Sequence, residues 1–306
     1  MGCQETHLTY EEQLDRFISR GMLVKDRAKA IDRLKHISYY KIKEFSMFFM
    51  DKNGKYKKDT YFEAVVQNFY YDKNLRMEFL KCSEKIELSI KNKIAYILGA
   101  KYGAFGYLTF GNWCNRKIDK KKIDKEQEKF RKKLLKKMKL FSNNPIIYEF
   151  TKQNPTEEFP SIWRVSEILT FGEILHIFEI MSQKNKISVV RQYGLTIDEF
   201  TSYANNIKLI RNLCAHNMGI INIHLKSIPK INQDISKIIS RPDRILTSIF
   251  IMVHLVKIIN PKYRFKDLYH ILNQLIQRDS VGIKYGVKKK KYIKKFLGIK
   301  LMSNKK

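Results

Sequence analysis

The chain has 306 residues, enough to bury a sizeable core as one large domain or two small ones. Its 60 Lys and Arg against 30 Asp and Glu leave a formal net charge of +30, which disfavours a purely structural role and points to a polyanionic partner. A hydrophobic content of 44% with 12% aromatics excludes a disordered chain.

The first 144 residues contain no proline, and all six prolines follow from Pro145 onward, so the first half reads as helix after helix. Thr9 and Glu12 form a capping box ahead of Leu14, Phe17 and Ile18, and Gly21 ends that segment. A second helix is expected over about Asp26 to Ile37. The polar stretch Asp51 to Asp59 is a break, after which Asp72 is expected to open a long helix running to Gly99. Leu75, Phe79, Ile86, Ile90, Ile94 and Ile97 give it one buried stripe about 40 Å long.

From Arg116 to Lys139, thirteen basic residues face four acidic ones, with Ile123, Phe130, Leu134 and Met138 near helical spacing. That pattern suits a solvated amphipathic helix and a phosphate-tracking one equally. Pro145, Pro155 and Pro160 mark a connector, followed by an apolar run from Ile162 to Met181. A second capping box, Thr196 with Glu199, opens a helix through Phe200, Tyr203, Ile207 and Ile210 that leads into Arg211-Asn212-Leu213-Cys214-Ala215-His216. Further helices are expected near Arg244 to Ile259 and Phe265 to Arg278. The last 23 residues carry ten lysines and no acid, interleaved with Tyr285, Tyr292 and Phe296. Lysines for phosphates and aromatics for bases fit single-stranded RNA, and a solubilising tail is the alternative.

Ile249 to Ile259, the longest apolar run, is interrupted by His254 and Lys257 and falls short of the roughly 20 residues that cross a bilayer. The amino terminus has no apolar stretch of secretory type, and Cys3, Cys82, Cys114 and Cys214 show no paired spacing. A cytoplasmic location is therefore expected, without a membrane partner. Zinc-type spacings, phosphate-cradling glycine loops and clustered carboxylates are lacking, so neither metal nor cofactor is expected.

Arg211 and His216 are the residues best suited to chemistry. An imidazole titrates near neutrality and can take the proton of a ribose 2′-hydroxyl or protonate a leaving oxygen. A guanidinium can clamp the scissile phosphate and offset the charge of its transition state. Five residues at 100° place the two about 140° apart, whereas Asn212 and His216 share a face. Either the helix is irregular there, or a two-fold axis brings in the same motif from a second copy. The plain alternative is a core histidine capped by Asn212, with the arginine facing solvent.

RNLCAHN, with Asn222 six residues after His216, resembles the RNxCAH signature of the AbiD/AbiF-like abortive-infection proteins, a branch of the HEPN ribonuclease superfamily. Leu8 to Met22, His36 to Phe45, Asp72 to Ala95 and Ile162 to Ile174 are similar to further segments of that family, so the resemblance spans about residues 8 to 225. It implies an all-α protein with a HEPN-like bundle core: an N-terminal helical segment at 1–60, the HEPN-like domain at 61–283 with a basic insertion at 116–139, and a Lys-rich tail at 284–306. By the same resemblance, Arg211 and His216 match the catalytic pair, Asn212 the residue that orients it, and Glu87 and Lys91 the supporting charges on the long helix. After the histidine the chain departs from the pattern: Asn217, Gly219 and Ile221 stand where the family often has a His or polar residue, an arginine and a tryptophan.

The expected function is metal-independent cleavage of RNA in bacterial anti-phage defence, by a homodimer. The alternative is a scaffold for a structured noncoding RNA whose nuclease is silent or regulated. DNA binding is a weaker third possibility, for which helix-turn-helix and zinc-finger spacings are missing. Expected RNA contacts are Arg116, Lys120, Lys121, Lys125, Arg131, Lys132 and Lys136, and in the tail Lys288, Lys289, Lys290, Lys291, Tyr292, Lys294 and Lys295.

Overall fold

Side-chain caps set where most of the helices begin. In the computed structural model, which describes residues 6–278, 285–286 and 290–298, α1 (Tyr10–Ile18) starts on the Thr9–Glu12 capping box. α2 (Arg27–His36) starts on Asp26 and α3 (Tyr39–Ser46) on Ser38, each side chain accepting from a backbone amide of the first turn.

α4 (Phe62–Tyr102) has 41 residues, about 60 Å of helix. It begins ten residues before the expected start, because Phe62, Val65, Val66 and Phe69 continue the buried stripe upstream. Asp72, which reads as a start signal, is a buried interior residue of this helix. At the other end α4 runs past Gly99 and stops at Gly103, whose φ of +79° is open to glycine and closed to most residues.

α5 (Phe110–Trp113) leads into the basic helix α6 (Lys120–Leu140), and α7 (Pro145–Gln153) follows with Pro145 in its first turn. The apolar run after the prolines is two helices, α8 (Ile162–Ile168) and α9 (Phe171–Ile180). A capping box between Thr170 and Glu173 starts the second of them. α10 (Gln183–Val190), α11 (Ile197–Ala215), α12 (Gln233–Ser236), α13 (Ile245–Ile259), α14 (Lys266–Arg278) and α15 (Lys290–Leu297) complete the chain. Among the described residues there is no strand, only isolated bridges, and the protein is all-α.

α4 is the axis of the molecule: α3, α8, α9, α10, α11, α13 and α14 all pack on it. α13 is apolar on nearly every side because it is buried on nearly every side, from Ile245 to Val256. One cluster of buried side chains runs from Leu14 to Leu297 and takes in residues of all three segments marked out from the sequence.

The C-terminal aromatics do not stand free. Tyr285 is buried, Ile293 and Leu297 turn into the core, and the Phe296 ring stacks edge-on to Phe250 at 4.7 Å. Lys257 Nζ donates to the Phe296 carbonyl. Residues 293, 296 and 297 share one face of a helix, and that apolar face explains why the segment docks.

Candidate active site

α11 begins with the Thr196–Glu199 capping box and buries Phe200, Tyr203, Ile207, Ile210 and Cys214. That stripe fixes the rotation of the helix, and so the directions in which its last turn points. Regular helix ends at Ala215. His216 is the cap residue, its backbone amide donating to the Asn212 carbonyl at 2.9 Å, and Asn217 is left-handed with φ +58°. The backbone is thus helical up to the His216 amide and departs only after it, so the 140° offset between the Arg211 and His216 side chains stands within one chain.

The Arg211 side chain is 40% exposed. Its Nη2 lies 3.7 Å from Glu87 Oε2 and its Nη1 donates to Asn212 Oδ1 at 3.3 Å. On the far side of Glu87, Lys91 Nζ sits 3.0 Å from Oε1, and both groups of that pair are largely buried. Four of the five expected site residues, Arg211, Asn212, Glu87 and Lys91, thus form one chain of contacts with a single positive charge in excess. His216 is exposed on the cap, about 7.5 Å further along the helix axis, and no hydrogen bond links it to Arg211 among the described residues. Asn212 holds Arg211 and leaves the imidazole free.

What places His216 is a clamp that sequence reasoning missed. Asp72 Oδ1 accepts the backbone amides of Ile220 at 2.7 Å and Ile221 at 2.9 Å, while Oδ2 pairs with Arg76 Nε at 2.7 Å. Arg76 Nη1 reaches on to the Asn217 side-chain oxygen at 2.6 Å. From α3, Lys41 donates to the Asn217 carbonyl at 2.9 Å and Glu44 accepts the Gly219 amide at 3.1 Å. Lys41 and Glu44 also pair with one another at 2.7 Å. A Cβ on Gly219 would stand 2.4 Å from Glu44 Oε1 and 3.1 Å from Phe45, so a larger residue here would have to displace the Glu44 carboxylate from the Gly219 amide. The available signal was an acid and a base four apart within a buried stripe of α4, followed by an asparagine just past a helix end.

Burial pushes the Asp72 carboxyl up, against the pull of the two amides and of Arg76. Burial, with the nearby Asp72 charge, likewise pushes the Cys214 thiol up to about 12, so this motif cysteine is not a nucleophile near neutral pH. Among the described residues no three His, Cys, Asp or Glu side chains group as metal ligands.

Of the expected RNA contacts, Arg116, Lys120, Lys121, Lys125, Lys132 and Lys136 are exposed. Lys121, Lys125, Lys132 and Lys136 fall within about 60° of one another on α6, opposite buried Leu134. Arg131 is turned inward and donates to the Leu108 carbonyl at 3.2 Å, which ties α6 to the bundle. Lys132 pairs with Glu128 along its own helix. In the last helix Lys295 is exposed, and Tyr292 and Lys294 are half-buried. Lys290 and Lys291 belong to α15, and Lys288 and Lys289 lie outside the described residues.

The family model described as Abi-like protein matches residues 32–222, from α2 through the turn that follows His216. The chain belongs to the Abi-like protein family. The matched span contains Glu87, Lys91, Arg211 and His216, and also every residue of the clamp. Membership supports a role in abortive infection. No curated protein and no solved structure matches the chain. No helix among the described residues is long and apolar enough to cross a membrane.

Proposed function

We propose that this Abi-like protein is a metal-independent endoribonuclease of the HEPN type, working as a homodimer in the cytoplasm of a bacterium during abortive infection. The observation that carries the reading is the end of α11. An exposed imidazole, without a hydrogen-bond partner among the described residues, stands one to two turns from a guanidinium whose orientation is set by Glu87 and Asn212. Arg211 receives the scissile phosphate, and Lys91 offsets the charge of Glu87. His216 takes the proton of the ribose 2′-hydroxyl as that oxygen attacks the adjacent phosphorus. A second His216, from the partner copy, protonates the departing 5′-oxygen.

The products are a cyclic phosphate and a free 5′-hydroxyl, and cleavage persists in EDTA. His216→Ala lowers the cleavage rate by about 10²–10⁴-fold and leaves RNA retention nearly intact. Wild-type cleavage by this variant would sink the assignment, and loss of activity in chelator would sink the metal-free scheme.

One observation favours a second reading, a noncoding-RNA scaffold with a regulated nuclease: Arg211 is tied to Glu87 and Asn212. A scaffold purifies with one defined RNA and turns over little else. A free nuclease is toxic on expression unless His216 is replaced.

A further inference from the structure

Between α9 and α11 lies a cavity of about 180 Å³. This is below the roughly 300 Å³ at which pockets for drug-sized molecules begin, and suits a single flat ring system. Its floor includes Phe178 and Ala204, both buried, and its rim is polar, with His176 and Glu179 on α9 and Asn205 and Lys208 on α11. Among the described residues Asn205 and Lys208 have no side-chain hydrogen bond or ion pair, and Glu179 is approached by His176 at 3.9 Å and feels the charge of Lys186. The Glu179 carboxylate at the rim makes the cavity a poor phosphate site. What it offers is a pair of acceptor oxygens from one helix and N–H donors from the other.

Two connections set it beside the candidate site. His176 also lines two cavities bounded by α6, one of them with Lys129 and Lys133. On α11, Asn205 and Lys208 precede Asn212 by seven and four residues, so 100° steps keep the three on one face, and Lys208 is about 12 Å along the helix from His216. A strand running from α6 over His176 to this face of α11 would pass over the cavity.

We infer that the cavity is a base-recognition subsite, selective for guanine, on single-stranded RNA bound by α6 and the α11 motif. The inference rests on the RNA reading above. Unpaired RNA is read by stacking and on the Watson–Crick edges of splayed bases. Only guanine presents two adjacent N–H donors on that edge, N1–H and N2–H, which the Glu179 carboxylate accepts together while Lys208 or Asn205 donates to O6. Adenine and cytosine set a ring-nitrogen lone pair beside their single amino group, and uracil flanks one N–H with two carbonyls. Each of these turns a lone pair toward the carboxylate. The His176 ring at the rim supplies a stacking face.

The test uses the full chain carrying His216→Ala, so that no probe is cut, and fluorescence anisotropy with uridine decamers holding one central guanosine, adenosine or cytidine, or none. The guanosine probe binds roughly tenfold or more tighter than the all-uridine probe. Adding Glu179→Gln, an exchange at an exposed position, abolishes that preference and changes all-uridine binding by less than about twofold. Equal binding of all four probes, or a guanosine preference that survives Glu179→Gln, overturns the subsite and leaves the RNA reading standing. Failure of every probe to bind at low salt overturns both.

Discussion

Asn217 is the residue on which the geometry of the motif turns. A left-handed conformation costs most side chains roughly 1–2 kcal/mol, and asparagine tolerates it better than most. Its side chain is then spent on Arg76 and its carbonyl on Lys41, so the chain leaves α11 in one direction only. Asp72 is the deepest part of this arrangement. Asp72→Ala leaves Arg76 buried without its carboxylate and is expected to cost about 3–5 kcal/mol in denaturant unfolding. A plain buried ion pair can often be replaced by two apolar residues without loss. Here the Ile220 and Ile221 amides also depend on Asp72, and a buried donor without a partner costs about 1–3 kcal/mol. The double variant Asp72→Leu with Arg76→Met should therefore stay at least about 2 kcal/mol below wild type, and full recovery would show that the amides find other partners.

At the scale of helices, the N-terminus of α9 carries a coupling to α6 that composition alone hides. Burial raises the Glu173 carboxyl, but the Thr170 amide, Lys137 and the Thr170 hydroxyl outweigh it and hold the group below the usual carboxylate range. Lys137 Nζ sits 3.0 Å from Glu173 and also donates to the Ile168 carbonyl, so one lysine joins the basic helix to α8 and α9. Because the folded carboxyl is the stronger acid, its stabilisation is complete above the unfolded glutamate value near 4.3 and is lost as pH falls through the lower folded value. Glu173→Gln should lower the melting temperature at neutral pH, and the gap to wild type should narrow on acidification to about pH 3. A gap independent of pH would show that the ion pair does not carry this contact.

For the molecule as a whole, the excess of positive charge is concentrated where it can be felt. α6 is about 32 Å long, with Lys121, Lys125, Lys132 and Lys136 on the face away from the core. Each phosphate neutralised on single-stranded nucleic acid contributes about 0.7 to the slope of log K against log salt. Replacing Lys121, Lys125, Lys132 and Lys136 by glutamine should reduce that slope by at most about 3 and weaken all RNA sequences alike, as phosphate contacts do. An unchanged slope in an RNA titration would leave α6 as a solvated helix and no more. Arg131 is not in that set, because its guanidinium is committed to the Leu108 carbonyl and its loss would be felt in stability.

Much of this protein was legible from its residues, because local rules carry a long way in an all-α chain. Capping boxes at Thr9 and Thr196 mark helix starts, periodic apolar residues mark the buried faces of α4 and α11, and the RNLCAH segment locates the candidate chemistry. Only the tertiary structure could show that Asp72 is an interior residue gripping a turn nearly 150 positions away, or that Tyr285 and Phe296 serve the core. It also showed that Glu87 meets Arg211 while His216 stands apart. The physical reason is common to all three: spacing along one chain reports which residues share a face, whereas partners across helices depend on how the faces are brought together by packing.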